Sequence, residues 1–279
     1  MMQYTDSMFS PSFTAGQNVI KGPAPVRDDR QPALTPSVEA VRREYIGERY
    51  VLCDEVHRFG TDALLLARFA SPRPQDYACD LGSGCGVIPI AWLCLNGPKQ
   101  CDAVELQPGA HRLLRNAVAR QGLSDRIFPH CADLRRLEEV LPAGKYDLVA
   151  INPPYYPVGS GKPSASPALR AAREEGFCTL DDAATAAARL LRVGGRFCLC
   201  HRPERLCDVV TALRKADLEP KRMRLVSHRQ KAPPFLVLVE GRRGGRPSLT
   251  VEDTLYLEEH PDILSPFFTN HAKGAVDTE

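Results

Sequence analysis

Asp80-Leu81-Gly82-Ser83-Gly84-Cys85-Gly86-Val87-Ile88-Pro89-Ile90 is the stretch whose reading decides the fold. Ahead of it stands Tyr77-Ala78-Cys79, short and apolar enough for a buried strand. Behind it Val87 to Leu95 reads as an apolar helix, so the glycines fall on a strand-to-helix turn. Turns of this kind are where α/β sheets bind ligands. Gly82, Gly84 and Gly86, at alternate positions, allow φ values that a side chain resists and let a ligand lie against the main chain. Cys85 adds little bulk between them.

The spacing is Gly-x-Gly-x-Gly, whereas a dinucleotide turn is Gly-x-Gly-x-x-Gly, and Asp80 stands just before it. A carboxylate there repels pyrophosphate. It suits a ligand with a cationic amino group and hydroxyls, such as S-adenosyl-L-methionine. Further along, Ala103-Val104-Glu105 ends the next strand. Glu105 lies about 20 residues past the last glycine, where an α/β nucleotide site puts a carboxylate on ribose hydroxyls; the alternative is a solvated strand-end glutamate. Asp133, after the strand at Arg126-Ile127-Phe128, is placed either to accept from an adenine amino group or to cap a helix from Leu134 to Val140.

With 279 residues and 43% hydrophobic content, the chain can bury one large α/β core and a modest appendage. Its formal charge of +2 declares no nucleic-acid binding, so any basic surface must be local. The ten cysteines fall in strands and helices without a Cys-x-x-Cys pair or a signal-peptide pattern, which points to reduced, buried thiols in a cytoplasmic protein and to no metal site. No run of about 20 apolar residues is present, which argues against a membrane span.

Five prolines among polar residues mark 1–36 as a disordered leader. Val38 to Ile46 reads as a short charged helix and Tyr50 to Cys53 as a short edge strand. Thr61 is a natural N-cap for a helix over Ala63 to Phe69, with Asp62 in its first turn; capping alone explains both residues. From Tyr77 on, strand and helix alternate: helices over Pro108 to Gln121 and Leu180 to Leu191, strands at Tyr146 to Ile151 and Gly195 to Leu199. That alternation predicts a mostly parallel, doubly wound sheet. After a helix near Glu204 to Lys215, Lys221 to Val226 and Phe235 to Glu240 read as an antiparallel pair at the sheet edge. The resulting division is a leader over 1–36, a catalytic domain over 37–250 and a C-terminal extension over 251–279.

Tyr146 to Ile151 delivers Asn152-Pro153-Pro154-Tyr155. Two prolines stiffen the turn, so that the Asn152 side chain and the Pro153 carbonyl can be held as two fixed acceptors for one planar NH2. An aromatic amine is a poor nucleophile because its lone pair is delocalised. Accepting from both N–H groups favours the pyramidal nitrogen that develops on attack, a stabilisation specific to the transition state. Tyr155 can stack on the base. The alternative is a proline-rich turn capped by its asparagine. Lys162, Arg170 and Arg173 follow in a Gly-, Ser- and Pro-rich loop, and Lys221, Arg222, Arg224, Arg229 and Lys231 come later; both groups could hold phosphates.

Together these pieces resemble the class I S-adenosylmethionine-dependent methyltransferases of the amino-methylating branch. More narrowly, Arg58-Phe59-Gly60-Thr61-Asp62-Ala63, the glycine stretch, Asn152-Pro153-Pro154-Tyr155 and His201-Arg202-Pro203 resemble the tRNA1(Val) adenine-37 N6-methyltransferase family, over roughly residues 45 to 245. The resemblance implies a Rossmann-like, seven-stranded sheet with an antiparallel edge strand. It implies S-adenosyl-L-methionine as cofactor, its methionine end held by Asp80, Gly82, Ser83, Gly84, Cys85 and Gly86 and covered by Gly60, Thr61 and Asp62. Its ribose falls to Glu105 and its adenine to Asp133, with Leu106 and Leu134 beside them. Asn152, Pro153, Pro154 and Tyr155 take the target amine, and a monomer acts on tRNA. Two readings compete: glutamine methylation in a release factor, since a carboxamide is also a weakly nucleophilic NH2, and a non-catalytic RNA-binding or assembly factor.

Overall fold

The computed structural model describes residues 41–155 and 178–268. Ahead of the alternating part, β1 (Arg42–Ile46) and β2 (Arg49–Cys53) form an antiparallel hairpin. This corrects the helix expected up to Ile46. A charged helix of that length is marginal in water, whereas pairing satisfies its backbone groups. Gly47 turns the chain at φ 62° and donates its N–H to the Phe267 carbonyl at 2.8 Å. Ile46, Val51, Leu52 and Cys53 reach the core, while Arg42 and Arg43 stay exposed.

The alternating part runs α1 (Thr61–Ala70), β3 (Tyr77–Leu81), α2 (Val87–Cys94), β4 (Gln100–Glu105), α3 (Pro108–Arg120), β5 (Ile127–Cys131), β6 (Tyr146–Ile151), α4 (Leu180–Leu190), β7 (Leu191–His201) and α5 (Leu206–Lys215). Local chemistry accounts for the starts of α3 and α4. Pro108 opens α3, whose buried Ala110, Leu113, Leu114, Ala117 and Val118 recur at helical spacing. Thr179 and Asp182 form a reciprocal capping box on α4. At α1 the cap is Gly60 and Thr61 is the first helical residue, which corrects the N-cap expected at Thr61. Beyond Asp133 only a 3-10 turn forms, Leu134–Arg136, in place of a helix to Val140.

Then follow β8 (Leu218–Ser227), β9 (Leu236–Arg243) and the two-residue strands β10 (Thr250–Val251) and β11 (Leu255–Tyr256). The sheet order is β10-β8-β9-β7-β6-β3-β4-β5, with β11 also on β8. Strands β3 to β7 pair in parallel, and β9 lies antiparallel between β7 and β8. Leaving out the two short bridges β10 and β11, this is a seven-stranded, mostly parallel sheet. Helices α1, α2 and α3 bury one face of it, around Trp92 and Ile127; α4 and α5 bury the other, around Tyr146 and Phe197. Past residue 251 the chain stays on the body: β11 joins the sheet, and the turn Pro261–Phe267 inserts the fully buried Phe267. The leader expected over 1–36 lies outside the described residues.

Chain order reverses between β3 and β6. From β3 the chain moves outward through β4 and β5, then returns to start β6 on β3's other side. The carboxyl ends of these two strands therefore open a crevice, the place where open α/β sheets bind ligands.

Candidate active site

At the end of β3, Gly82, Gly84 and Gly86 stand at φ 67°, 55° and 92°. A Cβ at Gly82 or Gly84 would meet no atom within 4 Å, whereas at Gly86 it would fall 2.3 Å from Leu114 Cδ1. The first two glycines thus face open space and the third serves packing against α3. Ser83 N–H donates to Val104 O at 2.9 Å, and Ser83 Oγ donates to the main-chain carbonyl of Asp80 at 2.9 Å. Glu105, buried at the end of β4, accepts Gly84 N–H at 2.8 Å on one oxygen and Gln107 N–H at 2.7 Å on the other. Its carboxylate is therefore fixed in place beside the loop with lone pairs to spare. Asp80 is fully buried, and neither of its carboxylate oxygens has a hydrogen-bond partner. Burial holds its carboxyl well above the ordinary value, against a lowering by the neighbouring Ser83 hydroxyl and with the Glu105 charge adding to it.

At the end of β6, the side-chain oxygen of Asn152 is reached by two donors, the Tyr155 hydroxyl at 2.7 Å and the Cys200 thiol at 3.1 Å. The same tyrosine hydroxyl lies 3.0 Å from Asp62 Oδ2 and 3.3 Å from Cys200 Sγ. Its ring tilts against His201, with centroids 5.3 Å apart. Burial pushes the Tyr155 hydroxyl and the Cys200 thiol above their ordinary ranges, so both stay protonated. His201 Nδ1 accepts Arg202 N–H at 2.8 Å, and burial, with Arg205 nearby, lowers its pKa to about 4.

These two turns share one cavity of about 250 Å3. On its wall stand Gly60, Gly82, Ser83, Gly84, Cys85, Glu105, Leu106, Asp133, Leu134, Asn152, Pro153 and Pro154, brought together from five segments of the chain. Thr61, Asp62, Asp80, Gly86 and Tyr155 are not part of that wall. Asp133 lines the cavity and caps the 3-10 turn by accepting from Arg135 N–H at 2.9 Å. The Arg135 side chain, with that cap, holds its carboxyl below the ordinary value.

Several wall residues carry no plain sign of their place in the sequence, His57, Arg58 and Gln107 among them. His57 reaches the cavity with its Nδ1 3.0 Å from both oxygens of Asp54. Burial alone would raise the Asp54 carboxyl, but hydrogen bonds from the main chain and ring of His57 hold it low. Room for the ring comes from Gly109, where a Cβ would fall 2.9 Å from His57 Cε1. The only trace in the sequence is the spacing Asp54-x-x-His57.

The basic residues divide. Lys162, Arg170 and Arg173 lie outside the described residues. Arg222 is committed to Glu240 at 2.9 Å and Glu252 at 3.1 Å, Arg224 to Glu252 at 3.0 Å, and Lys221 to the Arg246 carbonyl at 2.9 Å. These three brace the β8 edge with contacts inside the protein, while Arg229 and Lys231 are exposed.

The Methyltransferase small domain family matches residues 50–204. The chain belongs to that family. Relatives include the tRNA1(Val) (adenine(37)-N6)-methyltransferase of Tolumonas auensis, 29% identical over 215 residues, spanning 76% of this chain and 86% of that protein. The namesake from Parabacteroides distasonis is 27% identical over 220 residues, spanning 76% and 90%. Among solved structures, a predicted O-methyltransferase from Agrobacterium tumefaciens superposes with a TM-score of 0.59 at 21% identity, over 74% of this chain and 96% of that one. The M. jannaschii tRNA m1G37 methyltransferase gives 0.53 at 16%, over 75% and 59%. These two show the shared fold.

As a member of this methyltransferase family, the protein uses S-adenosylmethionine, and the cavity suits it. Gly82 and Gly84 leave open the space that a ligand lying on the main chain would fill. Glu105 presents an anchored carboxylate at its rim, and buried beneath is the unpartnered Asp80. Among the described residues, no helix is long and apolar enough to cross a membrane.

Proposed function

We propose that the protein methylates the exocyclic N6 of an adenosine in tRNA, most directly one in the anticodon loop. The observation that carries this reading is that the Asn152-Pro153-Pro154 turn and the glycine loop line the same cavity. The relatives named for tRNA1(Val) adenine-37 support the nucleobase over a protein glutamine. An adenine N6 inside a duplex is out of reach, and an unpaired loop nucleotide is the cheapest to extrude.

In this reading the methionine end of the cofactor lies against Gly82 to Cys85 under Gly60, its ribose hydroxyls on Glu105, and its adenine near Leu106, Asp133 and Leu134. When bound, the cofactor supplies an electrophilic methyl group on a sulfonium. Asn152 and the Pro153 carbonyl accept the two N–H groups of the target amine. They aim its lone pair and favour the pyramidal nitrogen, with no strong base required. Lys162, Arg170 and Arg173 are assigned to the tRNA phosphates, and a monomer in the cytoplasm suffices for the reaction. Binding through such contacts weakens steeply with salt as counterions are released.

The test is nucleoside mass spectrometry of tRNA from cells with and without the protein. Loss of N6-methyladenosine at one loop position supports the reading. Unchanged tRNA together with lost release-factor glutamine methylation overturns it.

A further inference from the structure

Three polar groups meet around a single proton next to the cavity. The Tyr155 hydroxyl lies 2.7 Å from the side-chain oxygen of Asn152 and 3.0 Å from Asp62 Oδ2. A carboxylate and a carboxamide oxygen are both acceptors only, and a tyrosine has one hydrogen to give. One of the two contacts must then be oxygen facing oxygen without a proton between. The same placement commits the Asn152 oxygen to Tyr155 and Cys200, the acceptor that an incoming amine would need.

A half-turn of the Asn152 carboxamide resolves both conflicts. Its NH2 then donates to the Tyr155 oxygen, the Tyr155 proton goes to Asp62, and the carbonyl oxygen faces the cavity as an acceptor. Cys200, 3.1 Å from the carboxamide, is compatible with either orientation because a thiol is both a weak donor and a weak acceptor. We propose that Asp62 is a positioning residue: by taking the one proton of Tyr155 it makes that oxygen an acceptor, and so sets the Asn152 carbonyl toward the substrate amine. Asp62 sits in the first turn of α1, next to Gly60 on the cavity wall. The relay therefore ties the segment over the cofactor to the group that receives the amine.

The inference rests on the amine-binding reading of the cavity, and the first measurement is made without substrate so that the two can fail separately. In the side-chain amide spectrum of 15N-labelled protein, with the Asn152 signal assigned by its loss in Asn152→Asp, one N–H of Asn152 is expected to exchange slowly with water. It moves and exchanges freely in Tyr155→Phe and Asp62→Ala, and recovers in Asp62→Asn, which keeps an acceptor for the tyrosine. In methyl transfer, Asp62→Ala and Tyr155→Phe each lower kcat about tenfold, and the double variant is no worse than either single one, since the two act in series. Affinity for S-adenosylhomocysteine stays within about twofold in Tyr155→Phe, and in Asp62→Ala it falls by less than the rate does. The proposal is overturned if the Asn152 amide exchanges freely in the wild type and ignores Tyr155→Phe. It is equally overturned if the two rate losses multiply, or if Asp62→Ala weakens the ligand as much as it slows turnover.

Discussion

Glu105 accepts the Gly84 N–H at 2.8 Å, so the carboxylate at the tip of β4 holds the middle of the loop that follows β3. Its other oxygen holds the start of α3 through Gln107 N–H at 2.7 Å. Removing it leaves two backbone donors to find new partners and takes away the acceptors proposed for the ribose. Glu105→Ala is expected to lower S-adenosylhomocysteine affinity about tenfold or more and to destabilise the fold by about 1–3 kcal/mol. Glu105→Gln, retaining one acceptor, falls between. Calorimetric titration and thermal unfolding of the same samples check both.

The glycines of the loop separate by what a methyl group would touch. Both Gly84→Ala and Gly86→Ala strain a left-handed residue by about 1–2 kcal/mol. Only Gly86→Ala also drives a Cβ to 2.3 Å from Leu114. Gly84→Ala is therefore expected to fold and to lose ligand affinity, and Gly86→Ala to lose several degrees more in melting temperature. Melting curves with and without ligand distinguish them.

Asp80, fully buried without a hydrogen bond to its carboxylate, is held at a raised pKa chiefly by burial. A pKa higher in the folded than in the unfolded state stabilises the fold below the unfolded value, and that stabilisation is lost as pH rises through the folded one. Near neutral pH the group is thus a liability in the ligand-free protein. Asp80→Asn should raise the ligand-free melting temperature by a few degrees, about 1 kcal/mol or more, and flatten its decline with rising pH. Ligand affinity should fall in the same variant, which titration calorimetry reads.

His201 behaves in the opposite sense. Burial, with Arg205 nearby, lowers its pKa from 6.5 to about 4. The unfolded chain binds its proton first, so the stability this neutral ring provides is present above about pH 6.5 and lost as pH falls toward 4. His201→Phe, which keeps a ring against Tyr155, should remove up to about 1.4 kcal/mol per pH unit of slope in that window. Denaturant unfolding between pH 4 and pH 7 measures it.

Much of this was legible in the residues, and the exceptions share a cause. Strand-helix alternation from Tyr77 to Leu191 foreshadows the sheet because buried parallel strands and one-sided helices leave strong patterns. Strand β1 left none: Glu44 beside Arg42 and Arg43 reads as a helix surface, and it is pairing with β2 through the Gly47 turn, anchored to the distant Phe267, that makes it a strand. At the site, residues adjacent in the chain such as Gly82 to Cys85 and Asn152 to Pro154 announced themselves. The His57 ring against Gly109 and the Cys200 thiol against Asn152 depend on approach between distant elements. Tyr155 is the instructive case. Its type suggests a stacking ring, and nothing in the chain announces that its hydroxyl also lies 3.0 Å from Asp62, 93 residues away in sequence.

The most direct test is transfer of labelled methyl from S-adenosylmethionine into purified unmodified tRNA by wild-type protein and by Asn152→Ala, with binding of S-adenosylhomocysteine measured on both. The account predicts label in N6-methyladenosine at an unpaired loop position with wild type, a rate about 10² to 10³ lower for Asn152→Ala, and ligand affinity nearly unchanged. Label appearing in a release-factor glutamine and not in tRNA, or a loss of ligand affinity as large as the loss of rate, would contradict it.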